Sequence, residues 1–193
     1  MKLTTIFVDE NCKGLHSFCY KEHDFLCEFD RLFNLWNNPV YIRRYLKENI
    51  SYLQGGFYGD ITLEEAITEV RRDIQVMQSE ILRASINISK RNDENLECLF
   101  RPFHNLEIQG KDYQEVKYKL EKWEYKKSKI RLYAIRLSQD TFIITGGAIK
   151  LVKLMEDHVD TVKEKEKLKL ARNWLKANDF LFEDNLKEYY EEE

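Results

Sequence analysis

KIRLYAIRL at 129–137 and TFIITGGAIK at 141–150 mark the centre of the expected sheet. The first alternates with the period of two that a pleated strand imposes. Ile130, Leu132 and Ala134, with Arg136 continuing the series, fall on one side, and Arg131, Tyr133, Ile135 and Leu137 on the other. The second is a β-branched run that ends in adjacent glycines, Gly146 and Gly147, followed by Lys150 and Lys153. Its glycines fit neither G-x-x-x-x-G-K-[ST] nor G-x-G-x-x-G, which argues against a nucleotide cradle. Glycines directly after a strand mark a bulge, a positive φ or a close backbone approach. The reading here is a turn at the strand's end that delivers Lys150 to a surface shared with Arg131 and Arg136.

Towards the N-terminus, LTTIFV (3–8) is β-branched and aromatic enough for a first strand, which 15–20 either continues or returns after the turn at 11–14. Helical spacing takes over at 24–36 through Phe25, Leu26, Phe29, Leu32, Phe33 and Trp36, and a second helix is expected over 40–53 behind Pro39. Thr62-Leu63-Glu64-Glu65 has the form of a capping box. A long helix should follow it to about 85, with Ala66, Val70, Ile74, Met77 and Ile81 on one stripe. After a polar loop at 90–95, LECLFRPF (96–103) reads as the first of three sheet strands. Residues 111–129 have no clear period. A closing helix is expected over 162–178, and EDNLKEYYEEE (183–193) reads as an acidic tail that frays.

These elements make one α+β domain over 1–182: a strand and helical part (1–95), then a sheet and closing helix (96–182). The sheet should be small and mostly antiparallel, with an enlarged N-terminal helical hairpin. Only 2 prolines and 7 glycines among 193 residues, with 43% hydrophobic content, point to a folded chain. No apolar run approaches the ~20 residues that cross a bilayer, and MKLTTIFVDEN meets Asp9 before a signal-peptide core develops, so a cytoplasmic location is expected. Cys12, Cys19, Cys27 and Cys98 form no C-x-x-C pair and read as buried free thiols. His16, His23, His104 and His158 lack metal spacing, and no serine sits in a nucleophile elbow. No metal or cofactor is expected.

The net charge of -3 hides a strong asymmetry. Residues 1–100 carry 12 Lys and Arg against 16 Asp and Glu, residues 101–182 carry 18 against 12, and residues 183–193 carry 1 against 6. Local sign matters more than total charge for steering an anion. The candidate phosphate binders are therefore Arg131, Arg136, Lys150, Lys153 and Arg172.

The order strand, helical hairpin, three strands and closing helix, together with FRPFHNLE, KIRLYAIRL and FIITGGAIKLVKLMEDHVDTVKEKEKLKLARNWL, resembles the RelE/ParE superfamily of bacterial toxins, and most its HigB-type branch. The resemblance covers roughly 96–178. Its matches are Arg101, Arg131 with Tyr133, Gly147 with Lys150, and Ala171 with Arg172. The family's adjacent lysines are replaced by Lys150-Leu151 and Val152-Lys153, and the phenylalanine after its glycine by Ala148. The resemblance implies the toxin of a type II toxin–antitoxin pair that cleaves messenger RNA at the ribosome without a metal. Arg131, Arg136 and Lys150 would stabilise the scissile phosphate, with His104 or His158 as the proton-transfer group. Lys153, Arg172 and Arg101 would bind the RNA. Implied partners are a helix-turn-helix antitoxin, the ribosome and messenger RNA, with room for a homodimer and no membrane. The alternatives are a gyrase-directed toxin or a non-enzymatic interaction module that uses the long helix.

Overall fold

The computed structural model describes residues 1–86, 95–102, 114–119, 128–180 and 183–192. The fold is α+β, built on a mixed six-stranded sheet. Strands β1 (Lys2–Val8) and β2 (Gly14–Cys19) form an antiparallel hairpin. Strands β3 (Phe100–Pro102), β4 (Gln114–Tyr118), β5 (Ile130–Arg136) and β6 (Thr141–Ile149) follow the helical part. The spatial order is β1-β2-β6-β5-β4-β3, and only β2 with β6 is parallel. A parallel pair needs a long crossover, and the helical segment between β2 and β3 supplies it.

That segment comprises α1 (Glu28–Trp36), α2 (Pro39–Glu48), the single turn α3 (Ile50–Leu53) and α4 (Leu63–Ile86). Local chemistry explains where helices start. Asn38 Oδ1 accepts from the N–H groups of Val40 and Tyr41 ahead of Pro39. The Thr62 N–H donates to Glu65 Oε2 at 2.9 Å while Glu65 N–H returns to Thr62 Oγ1, so the capping box forms as read. Leu32, Trp36, Ile42, Leu46, Val70, Ile74, Met77 and Ile81 close the larger core against one sheet face. Ile74 and Ile81 are thus core residues, not a partner-binding stripe.

The other face carries α6 (Val159–Ala177), which packs Leu168, Ala171 and Leu175 on Phe18, Tyr133, Ile135 and Ile143. Its first turn is capped by His158, whose Nδ1 accepts from Asp160 N–H at 3.2 Å. No helix among the described residues is long and apolar enough to cross a membrane.

The structure departs from the sequence expectations at several points. Residues 24–27 are not helical: Asp24 and Phe25 take φ of 50° and 57°, and α1 begins after Cys27, whose sulfur accepts from Asp30 N–H. The helix expected over 40–53 breaks at Asn49, which ends α2 and precedes α3. Residues 96–99 form a helical turn, α5 (Leu96–Leu99), because Asn95 caps it, and only Phe100–Pro102 is strand. Cys12 and Cys98 are half-buried, not buried. Gly146 and Gly147 lie inside β6, which runs on to Ile149, and neither has positive φ. A register shift between Tyr133 and Ala134 places a bulge beside them. The loop expected at 90–95 lies outside the described residues, except for Asn95.

The acidic segment does not fray. It forms α7 (Glu183–Glu192), with Leu186 fully buried and Tyr189 and Tyr190 packed on the second core. Tyr189 Oη accepts from Leu3 N–H, and Tyr190 Oη lies 2.9 Å from His16 Nδ1. Two aromatic residues with hydroxyl tips outweigh the charge of the stretch, because rings bury large areas while their hydroxyls find partners.

Gly147 answers to packing: a Cβ there would stand 2.6 Å from the Trp36 ring and 2.8 Å from the Arg131 carbonyl. Gly147→Ala should lower stability by about 1–3 kcal/mol through overpacking, read as a lower urea midpoint with unchanged slope. His16 is fully buried, and burial pushes its pKa from 6.5 down to about 4, against the pull of the Cys12 carbonyl. The folded state therefore favours the neutral ring. This contribution is complete above pH 6.5 and is lost as pH falls through 4. Unfolding free energy should drop by roughly 3 kcal/mol across that window, a component absent from His16→Gln, as urea titrations at the two pH limits would show.

Candidate functional site

On the α6 face of the sheet, strand register lines up Arg101, Lys117, Tyr133 and Gly146 as direct neighbours across β3, β4, β5 and β6. Beside this row lies a pocket of about 340 Å³, lined by Lys117, Lys119, Arg131, Tyr133, Lys150, Lys153, Leu154, Met155, Glu156 and Lys165. Six cations meet one acid there.

The backbone that presents them is clamped. Lys150 N–H donates to the Lys129 carbonyl at 2.7 Å, while its own carbonyl accepts from Tyr58 Oη at 2.5 Å. Tyr58 belongs to the loop between α3 and α4 and lies under the Lys129 ammonium, 4.5 Å from its ring centre. Lys129 is itself buried and paired with Glu69 on α4 at 2.7 Å. The helical layer thus holds the end of β6 in place from behind.

Arg131 is buried, and its guanidinium donates to the Ser128 and Ile130 carbonyls at 2.7 Å each. Burial lowers its pKa, while the hydroxyls of Tyr58 and Tyr133 and the carboxylate of Asp73 oppose that. Burial also lowers Lys117, with Arg131 and Lys119 adding to the effect. Lys150 is lowered by burial first, then by Arg131 and Lys117, against Glu156 and Asp157. Burial raises the Tyr133 hydroxyl, so it stays a neutral donor. Lys150 Nζ donates to the Lys153 carbonyl at 2.9 Å, and Glu156 is paired with Lys165. Positive groups that depress one another's pKa hold electrostatic strain that an entering anion relieves.

Of the residues singled out from sequence, Arg131, Lys150 and Lys153 come together here. Arg101 shares the same sheet face at the exposed edge strand β3. Arg136 does not join them. It lies five positions from Arg131, hence on the opposite face, with Nη2 2.5 Å from Glu97 and Nε donating to the Ser138 carbonyl. Arg172 is held by Glu115 at 3.1 Å, beyond the pocket. His104 lies outside the described residues. His158 is buried as a helix cap, its Nε2 2.9 Å from Asn49 Oδ1.

Sequence reading missed Lys117, Lys119 and Lys165. EVKYK alternates as a strand would, but the segment around it gave no period with which to set its register. Lys165 looked like one more solvated charge of KEKEK. Among the described residues no group of three or more His, Cys, Asp or Glu side chains is placed to hold a metal ion.

Lys117→Met should raise the pKa of Lys150, since one of the like charges that lower it is gone; lysine Nζ chemical shifts followed against pH would measure this. No protein-family model matches the chain, and neither does any curated protein or solved structure at a significant level.

Proposed function

We propose that the chain is the toxin of a type II toxin–antitoxin pair and a ribosome-dependent endoribonuclease of the RelE/ParE type, acting through the basic pocket. The observation that carries this reading is the meeting of six cations with a single acid over the Arg101-Lys117-Tyr133 row. A scissile phosphodiester gains charge on its non-bridging oxygens as the neighbouring 2′-hydroxyl attacks. Preorganised cations aimed at that charge lower the barrier because they need no reorganisation at the moment of reaction. Arg131, Lys117 and Lys150 are the half-buried or buried members and are placed for this role. Lys119, Lys153 and Arg101 are exposed and suited to steering the flanking backbone. The lowered pKa of Lys150 brings it nearer to working as a proton donor at neutral pH. The chain order also supports the reading, since a helical crossover links β2 to the antiparallel β3–β6 set and α6 closes it.

The opposite face gives the control. Binding of single-stranded RNA should fall about tenfold or more in Lys117→Glu/Lys150→Glu, and the salt slope should shrink by about 1.4, as expected when two phosphates are no longer neutralised. Arg136→Ala should bind like the parent, because that guanidinium serves Glu97 and the Ser138 carbonyl. In cells, induction should arrest growth with new transcript ends at ribosome-occupied codons, and the double variant should relieve both. Arrest without transcript cleavage overturns the nuclease reading and leaves a gyrase-directed toxin or an interaction protein.

A further inference from the structure

Two of the four cysteines stand directly opposite each other. Cys19 ends β2, Cys27 precedes and caps α1, and the two residues form an isolated antiparallel bridge. Residues paired in this way have Cα atoms roughly 4.5 or 5.5 Å apart, inside the ~4.4–6.8 Å that a disulfide spans. Their side chains point to one face. That face meets α1: Ser17, two residues before Cys19 and so on its side of β2, accepts from the Phe29 N–H at 3.1 Å in the first turn of the helix. The Cys27 sulfur is in the same turn, accepting from the Asp30 N–H at 3.3 Å. Neither cysteine is in a disulfide, and both are buried.

The chain between them is lightly held. The 3-10 turn Lys21–His23 has no buried residue. Asp24 and Phe25 follow with φ of 50° and 57°, a sparsely populated conformation that is costly for a side chain as bulky as phenylalanine. Phe25 and Leu26 are exposed. A segment with few buried contacts opens locally at low free energy, which gives a reagent access to Cys27 while the sheet stays folded. In the closed state burial pushes the Cys27 thiol up to about 11, against the pull of the Asp30 N–H, with the Asp30 carboxylate and Cys19 adding to the rise. The pair therefore rests as two thiols, and reaction waits on opening.

We infer that Cys19 and Cys27 form a thiol-modification site that a low-molecular-weight disulfide converts to an intramolecular disulfide. The Cys27 thiolate attacks one sulfur of the small disulfide, whose S–S bond breaks; a mixed disulfide forms and one small thiolate leaves. The Cys19 thiolate then attacks the Cys27 sulfur and expels the second small thiolate. The protein pair loses two electrons and two protons, and the small disulfide gains them as two thiols. The new bond ties the end of β2 to the start of α1, the helix whose Trp36 packs over Gly147. The inference does not rest on the nuclease reading, because neither cysteine lines the basic pocket.

Oxidised glutathione is the probe, applied to the full chain without denaturant. The intact mass should fall by two hydrogens. Tryptic digestion without reduction should yield GLHSFCYK (14–21) joined to EHDFLCEFDR (22–31), and dithiothreitol should separate them. Cys12→Ala/Cys98→Ala should give the same linked pair. Closure should raise Tm by about 5 °C, since the bond restricts the unfolded chain. Recovery of the two peptides unlinked, stable glutathione adducts in place of the link, or pairing of either cysteine with Cys12 overturns the inference. A link that forms only in urea, or that lowers Tm, overturns it as well, because the folded chain then does not hold the two thiols in register.

Discussion

Two adjacent positions of β6 without side chains govern how the helical layers meet the sheet. Gly147 lets the Trp36 ring and Leu32 of α1 approach from one face, and Gly146 lets the Glu164 carboxylate of α6 approach from the other. Glycine in a strand interior weakens the strand and has to be offset by what its smallness admits. Here it admits two helices at once. The strand separates Trp36 from Glu164 by little more than its own backbone, which draws α1 and α6 to the same stretch. The basic pocket lies beside it, over Tyr133, which pairs with Gly146, and Lys150.

Charge is sorted by the same geometry. Many acids near the core are assigned to particular cations: Glu28 to Arg31 and Lys167, Glu69 to Lys129, Glu97 to Arg136 and Glu115 to Arg172. The buried ones, Glu69 with Lys129 and Glu28 with its cations, add little net stability over apolar substitutes, although breaking one costs about 3–5 kcal/mol. The larger effect of the pairing is to commit all these carboxylates, Glu115 on β4 among them, to partners outside the basic pocket. A chain of net charge -3 thereby keeps a pocket in which cations outnumber acids.

Strands and helices with a strong period were legible in the sequence. The alternation of KIRLYAIRL gave β5, the β-branched run gave β6, and the Thr62 capping box gave the start of α4. The α+β class and mostly antiparallel sheet followed from them. What could not be read were features set by distant contacts. β4 has five residues in a stretch without period, and its place comes from pairing with β5. α7 looks like a solvated acidic run until Tyr189 and Tyr190 find Leu3 and His16, more than 170 residues away in sequence. Much of the basic pocket was hidden for the same reason, since Lys117 and Lys119 could not be given a face before β4 had a register.

Arg131 and Arg136 show why charge clustering along a chain is a poor guide to a site. Both stand on one strand in a basic region, yet their odd separation sends them to opposite faces, one to a crowded cationic pocket and the other to Glu97. Lys117 is far from Lys150 in sequence but on the same face, and near enough to lower its pKa. In a sheet, parity and register decide which charges act together. The glycines of β6 set where that shared face is closed by α6 and where it stays open, so the backbone constraint and the electrostatics of the pocket are one arrangement.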